Sequence, residues 1–151
     1  MRWKVPRVSP PGRGGMESSD IDEASVRAAT EAWISTFNAS DLPGIAALYD
    51  AQAHLWGTTS PVLIASPQGI AGYFSAVFAL QPAPGMALNG VRIRLYGDTA
   101  ISTGGYTLTL GAAAQRRSIP ARFSFVYRRV DARWLIVDHH SSAMPEPLQP
   151  C

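Results

Sequence analysis

Asp138, His139 and His140 stand together near the end of the chain, directly after the apolar run Trp134–Val137. A carboxylate beside an imidazole fixes its tautomer or raises its basicity, which makes an acid–base pair. Ionisable groups at the end of a buried strand are costly unless they have partners or a wet cavity. Alternate residues of an extended strand share a face. Trp134, Ile136, Asp138, His140 and Ser142 then face one way, and Leu135, Val137, His139 and Ser141 the other. The two histidines therefore do not act together on one small ligand. With the Trp134 face concave, Asp138 and His140 are the candidate catalytic pair. His54 and Trp56, also two apart, are candidates for the same cavity. The alternative is structural: Asp138 and His140 pair with each other or with arginines to satisfy a strand end.

Arginine is the next source of chemistry. A buried guanidinium suits a carboxylate bound through two hydrogen bonds. Arg94 and Arg122 stand equally well in a pocket or at the surface. Tyr73 and Tyr106 can donate a phenolic hydrogen bond, or else belong to the core. Trp33 reads as core or pocket wall. Three histidines and a terminal cysteine offer none of the usual metal-ligand spacings, so no metal is expected. No phosphate-binding glycine loop, dinucleotide-binding glycine pattern, nucleophile elbow or kinase motif is present, so no cofactor is expected either.

These residues must be held by helices first and strands after. Asp20 and Glu23 make a capping-box-like start for a helix to Asn38, with Val26, Ala29, Trp33 and Phe37 along one face. Ser40 or Asp41 caps a short helix containing Ile45, Leu48 and Tyr49. A short strand runs from Ala53 to Gly57. Ser66-Pro67 opens a third helix with Ile70, Tyr73, Phe74, Val77 and Phe78 on its apolar stripe. Strands follow at Val91–Tyr96 and Thr99–Leu110, joined at Gly97-Asp98, with Gly104-Gly105 as an expected bulge. The last pair, from Arg122 to Val130 and from Trp134 onward, turns at Asp131. This order predicts an α+β fold: a bent antiparallel sheet wrapped as a cone around about three N-terminal helices, with an internal pocket.

A chain of 151 residues fits one domain with a real core. Residues 1–18, with Pro6, Pro10, Pro11, Gly12, Gly14 and Gly15, read as a disordered leader, 19–147 as the domain and 148–151 as a tail. Met16 is an alternative start. Only 16% of residues are charged against 46% hydrophobic, which points to surface buried between copies. Removing the basic residues Arg2, Lys4, Arg7 and Arg13 turns the net charge from +2 to −2, so nucleic acid is not an expected partner. No run reaches the roughly 18 apolar residues of a membrane span. The N-terminus lacks the apolar segment of a signal peptide, and a cytoplasmic location is expected.

The segment DARWLIVDHHSSAMP resembles the closing strand of the association (hub) domain of calcium/calmodulin-dependent protein kinase II, with Asp131, Trp134, Ile136, Val137, His140, Ser142 and Pro145 matching. LWGTTSP, from Leu55 to Pro61, and RLYGDTAISTGGY, from Arg94 to Tyr106, look like stand-alone bacterial relatives of that domain. Those relatives belong to the nuclear transport factor 2-like (SnoaL-like) superfamily. The similarity covers roughly residues 20 to 147 and implies the cone fold. In the hub, arginines in a deep pocket hold small carboxylates; the position of its pocket arginine falls here on Phe125, so that group is missing. Kinase activity and calmodulin binding do not follow from a likeness to the hub alone.

Two functions remain open, because this fold hosts isomerases, dehydratases, cyclases and assembly domains. One is a homodimeric or larger assembly domain with a pocket for a small polar or anionic molecule, its convex face carrying Leu135, Val137 and His139. The other is a cofactor-free isomerase, dehydratase or hydrolase using Asp138 and His140.

Overall fold

Helix α1 spans Gly14–Asn38, α2 Leu42–Ala46 and α3 Pro67–Phe78. The strands are β1 Tyr49–Trp56, β2 Gly85–Tyr96, β3 Thr99–Leu110, β4 Arg117–Val130 and β5 Arg133–Ala143. The computed structural model describes the backbone of residues 14–150 and the side chains from Ile21 to Pro150. Most of the 1–18 leader, and Cys151, lie outside the described residues.

Val26, Thr30, Trp33 and Phe37 recur at spacings of three and four and are all buried, which seats α1 on the sheet. Its helical backbone begins ahead of Ile21. Asn38 holds its other end: the side chain accepts from Met86 N at 2.7 Å and donates to Met86 O at 2.8 Å. Asp41 and Ser66 cap α2 and α3 by accepting from the backbone of Gly44 and Gly69, both at 3.0 Å. Tyr49 opens β1 rather than extending the short helix.

The strands form one curled sheet in the order β1-β5-β4-β3-β2. β1 runs parallel to β5 and every other pair is antiparallel, so the sheet is mixed. β1 and β2 are its two edges, and it does not close into a barrel. The helices cover its concave face. The α+β cone expected from the sequence is therefore the fold.

Cross-strand partners share a face, so two bulges decide what points inward. One leaves Asn89 extra between the Leu88–Tyr106 and Gly90–Gly105 pairs. Gly104 makes room for it: a Cβ there would lie 2.0 Å from the Gly90 carbonyl oxygen. The irregularity thus sits in β2, and β3 pairs regularly with β4 through Gly104 and Gly105.

The second bulge reverses the expected parity of β5. Tyr127 pairs with Ile136 but Val126 pairs with Asp138, leaving Val137 extra. Trp134 and Ile136 are inward before the bulge, His139 and Ser141 after it. Asp138 and His140 are exposed on the outer face, and His139 leaves the convex face for the interior. Leu135 remains outside and half-buried.

His54 and Trp56 also point outward, because Ala53 and Leu55 of β1, and Gly57 just after it, are buried. Arg94 is outside because Val91, Ile93 and Leu95 pack on the core. Arg122 is outside because Ala121 and Phe123 are in. The outer face carries two rows across all five strands. One is Trp56, His140, Ser124, Thr103 and Arg92; the next is His54, Asp138, Val126, Ile101 and Arg94.

Candidate functional site

A cavity of about 70 Å³ lies within the cone, against α1, α3, β3 and β5. Phe37, Phe74, Val77, Met86 and Leu108 give it apolar walls. Gly57 stands at its edge because Tyr73 packs there: a Cβ would lie 2.4 Å from the Tyr73 ring. Polar groups gather at the β5 end, from His139, Ser141, Tyr106 and Thr58.

They form a hydrogen-bonded relay and a bonded pair beside it. Trp33 Nε1 donates to Tyr49 Oη at 3.0 Å. Tyr49 Oη lies 2.8 Å from His139 Nδ1, and His139 Nε2 lies 2.6 Å from Ser141 Oγ. Beside Ser141, Tyr106 Oη is 2.5 Å from Thr58 Oγ1. At the mouth, the Thr59 N–H and hydroxyl donate to Tyr73 Oη at 3.4 and 3.3 Å.

His139 is 3% exposed. Its ring stands edge-on to Phe125 at 4.4 Å and to Trp33 at 5.6 Å between centroids. Burial pushes its pKa down to about 3, and the adjacent His140 adds to the shift. The imidazole is therefore neutral at pH 7 and a weak base. Burial raises the Tyr106 and Tyr49 phenols, against the hydrogen bonds they receive. Among the described residues no Asp, Glu, Lys or Arg lines the cavity. It offers neutral hydrogen bonding at one end of an apolar chamber.

A second network is fully buried. Thr30 Oγ1 donates to Ser102 Oγ at 2.9 Å and lies 3.0 Å from Tyr127 Oη. It serves to fasten α1 to β3 and β4.

The residues proposed from sequence divide in two. Trp33, Tyr73 and Tyr106 do meet in the cavity, joined by His139. His54, Trp56, Asp138, His140, Arg94 and Arg122 do not reach it. Arg122 Nε donates to Ser142 Oγ at 3.2 Å in a shallow outer depression beside His140. Tyr49, Thr58 and Ser141 escaped sequence reasoning. The available signal was β4, where Phe123, Phe125 and Tyr127 alternate inward, and His139 pairs with Phe125.

Three helices under a curled, unclosed five-stranded sheet make the nuclear transport factor 2-like cone. The SnoaL-like domain model matches residues 26–147, and the chain belongs to the SnoaL-like family. The chain is similar to a structure from Xanthomonas campestris assigned as a calcium/calmodulin-dependent protein kinase II association domain: 29% identity, 97% of this chain and 99% of that one, TM-score 0.69. A second association-domain structure, from Thiobacillus denitrificans, is 21% identical over 79% of this chain and 94% of its own, TM-score 0.68. A structure from Streptomyces avermitilis, assigned as a dehydratase of the NTF2-like family, shares the fold at 19% identity over 85% and 99%, TM-score 0.76. No curated protein matches the chain. Among the described residues no helix is long and apolar enough to cross a membrane.

Proposed function

We propose that this chain is a self-associating SnoaL-like domain that holds a small, uncharged, mostly apolar molecule in its cone. The cavity carries the proposal: apolar walls end on His139, Ser141 and Tyr106, with no charged side chain among the described lining residues. A charged ligand would lose its hydration there without a counter-charge. An anionic ligand thus has no support inside the cone, since Arg94 and Arg122 point outward. The 70 Å³ volume is roughly half of an engineered cavity of about 150 Å³ that takes benzene, so a few heavy atoms fit.

Short ketones, alcohols and nitriles at saturating concentration are expected to raise the melting temperature by several degrees, since about 2.7 kcal/mol is gained at a hundredfold excess over Kd. Val77→Phe, which fills the cavity, should remove the shift. Equal shifts in both proteins would put binding elsewhere and end the ligand proposal.

Self-association is drawn from the outer face. Val126 and Ile101 sit half-buried at its centre, Leu135 lies on the same face, Val137 at the bulge, and Trp56 is 42% exposed. The low charged fraction and the likeness to association domains support it. Val126→Asp is expected to halve the particle mass or more on light scattering, because a carboxylate buried between sheets is unpaired. An unchanged mass would remove this face from assembly. The acid–base pair Asp138 and His140 faces away from the cavity, and no observation favours it as a catalytic centre.

A further inference from the structure

We infer that the cavity selects a neutral hydrogen-bond acceptor, a carbonyl oxygen above all, and that Trp33 sets this choice from the closed end of the relay. The inference rests on the cavity being the ligand site.

The Trp33 indole N–H can donate and cannot accept. Tyr49 Oη accepts it. Tyr49 is 8% exposed, so its own hydrogen needs a partner. If Tyr49 accepted from His139 as well, that hydrogen would be buried and unpaired, at about 1–3 kcal/mol. Tyr49 therefore donates to His139 Nδ1. With Nδ1 accepting, the neutral imidazole carries its hydrogen on Nε2 and donates it to Ser141. Ser141 keeps its own hydrogen, and Tyr106 and Thr58 share one link between them.

Each group from Trp33 to Ser141 brings one hydrogen, and there is one link fewer than there are groups. One hydrogen is left over. The direction forced at Trp33 places it at the cavity end, on Ser141, beside the Tyr106–Thr58 pair. Tyr73 supplies another, because it accepts from Thr59 and keeps its own. Both open onto the same chamber, and no side-chain carboxylate or amide among the described lining residues takes them. An uncharged ketone, aldehyde or ester oxygen completes both; an ammonium or a carboxylate does not survive desolvation there.

The test uses 2-butanone and its isostere 2-methyl-1-butene, in which a methylene replaces the carbonyl oxygen. Bound 2-butanone is expected to show its carbonyl stretch at lower wavenumber than in hexane. Nitrogen NMR should find His139 with a bare Nδ1 and a protonated Nε2. In Trp33→Phe the relay loses its forced direction. Both His139 tautomers should then be seen, and the ketone-to-alkene affinity ratio should fall about tenfold, the equivalent of one hydrogen bond. Should that variant not fold, the infrared band and the tautomer of the unsubstituted protein decide. A protonated Nδ1, or a carbonyl band at its hexane position while the alkene still binds, overturns this inference and leaves the cavity proposal standing. Binding of neither probe overturns both.

Discussion

Between pH 7 and pH 4 the unfolding free energy is expected to fall by about 3 kcal/mol through His139 alone. The folded imidazole titrates at about 3 because it is buried, with His140 beside it; unfolded, it returns to an ordinary value near 6.5. Below that value the unfolded chain takes up a proton that the folded protein refuses. The stabilisation from keeping His139 neutral is thus complete above pH 6.5. It is lost as the pH falls toward 3, at up to about 1.4 kcal/mol per pH unit. His139→Gln keeps a donor and an acceptor but does not titrate. Urea unfolding at pH 7, 5 and 4 should show the gap between the two proteins shrinking by about 3 kcal/mol. Parallel curves would mean that water reaches the ring, and the sealed end of the relay would be wrong.

Phe125→Ala is expected to cost about 3–5 kcal/mol, which for a domain of this size lowers the melting temperature on the order of 10 °C. Phe125 is 2% exposed and sits among the rings of the aromatic interior. Its ring lies 4.8 Å from Phe123, 5.4 Å from Trp33, 5.8 Å from Tyr127 and 4.4 Å from His139 between centroids. The void would open against Trp33 and His139, both members of the relay, so the loss in stability should come with a larger chamber. Calorimetry reads the first effect, and the size of the largest ketone bound reads the second. A cost below about 1 kcal/mol would show that the cluster closes over the gap. Phe125 also explains the uncharged interior, for it stands where the hub resemblance puts a pocket arginine.

The helices and the order of elements were legible because their signals are local. Asp41 and Ser66 cap where they stand, and Trp33 and Phe37 recur at helical spacing along α1. The closing hairpin was legible too: Asp131 and Ala132 turn with positive φ, at 48° and 64°. The candidate site was legible only in part. Tyr106, Tyr73 and Trp33, aromatic by type, line the cavity. The histidines face otherwise than counting alone suggests, because faces in a strand depend on register, and one extra residue at Val137 inverts every assignment after it. Nothing in the run Ile136-Val137-Asp138 marks the bulge; the register with β4 creates it. His54 and Trp56 face outward for a related reason, since Ala53, Leu55 and Gly57 are the buried residues there.

The bulge at Val137 also makes the interior editable by register. Two adjacent histidines with the same side chain live in opposite solvents, one sealed among aromatic rings and one in water. Deleting Val137 would remove only the extra residue and leave both where they stand; taking Val137 into the ladder opposite Val126 would exchange them without altering any side chain. Asp138 and His140 would then enter the cone, and His139 would leave. In a fold that hosts both binders and acid–base enzymes, a one-residue shift within one strand pairing does the work of several substitutions.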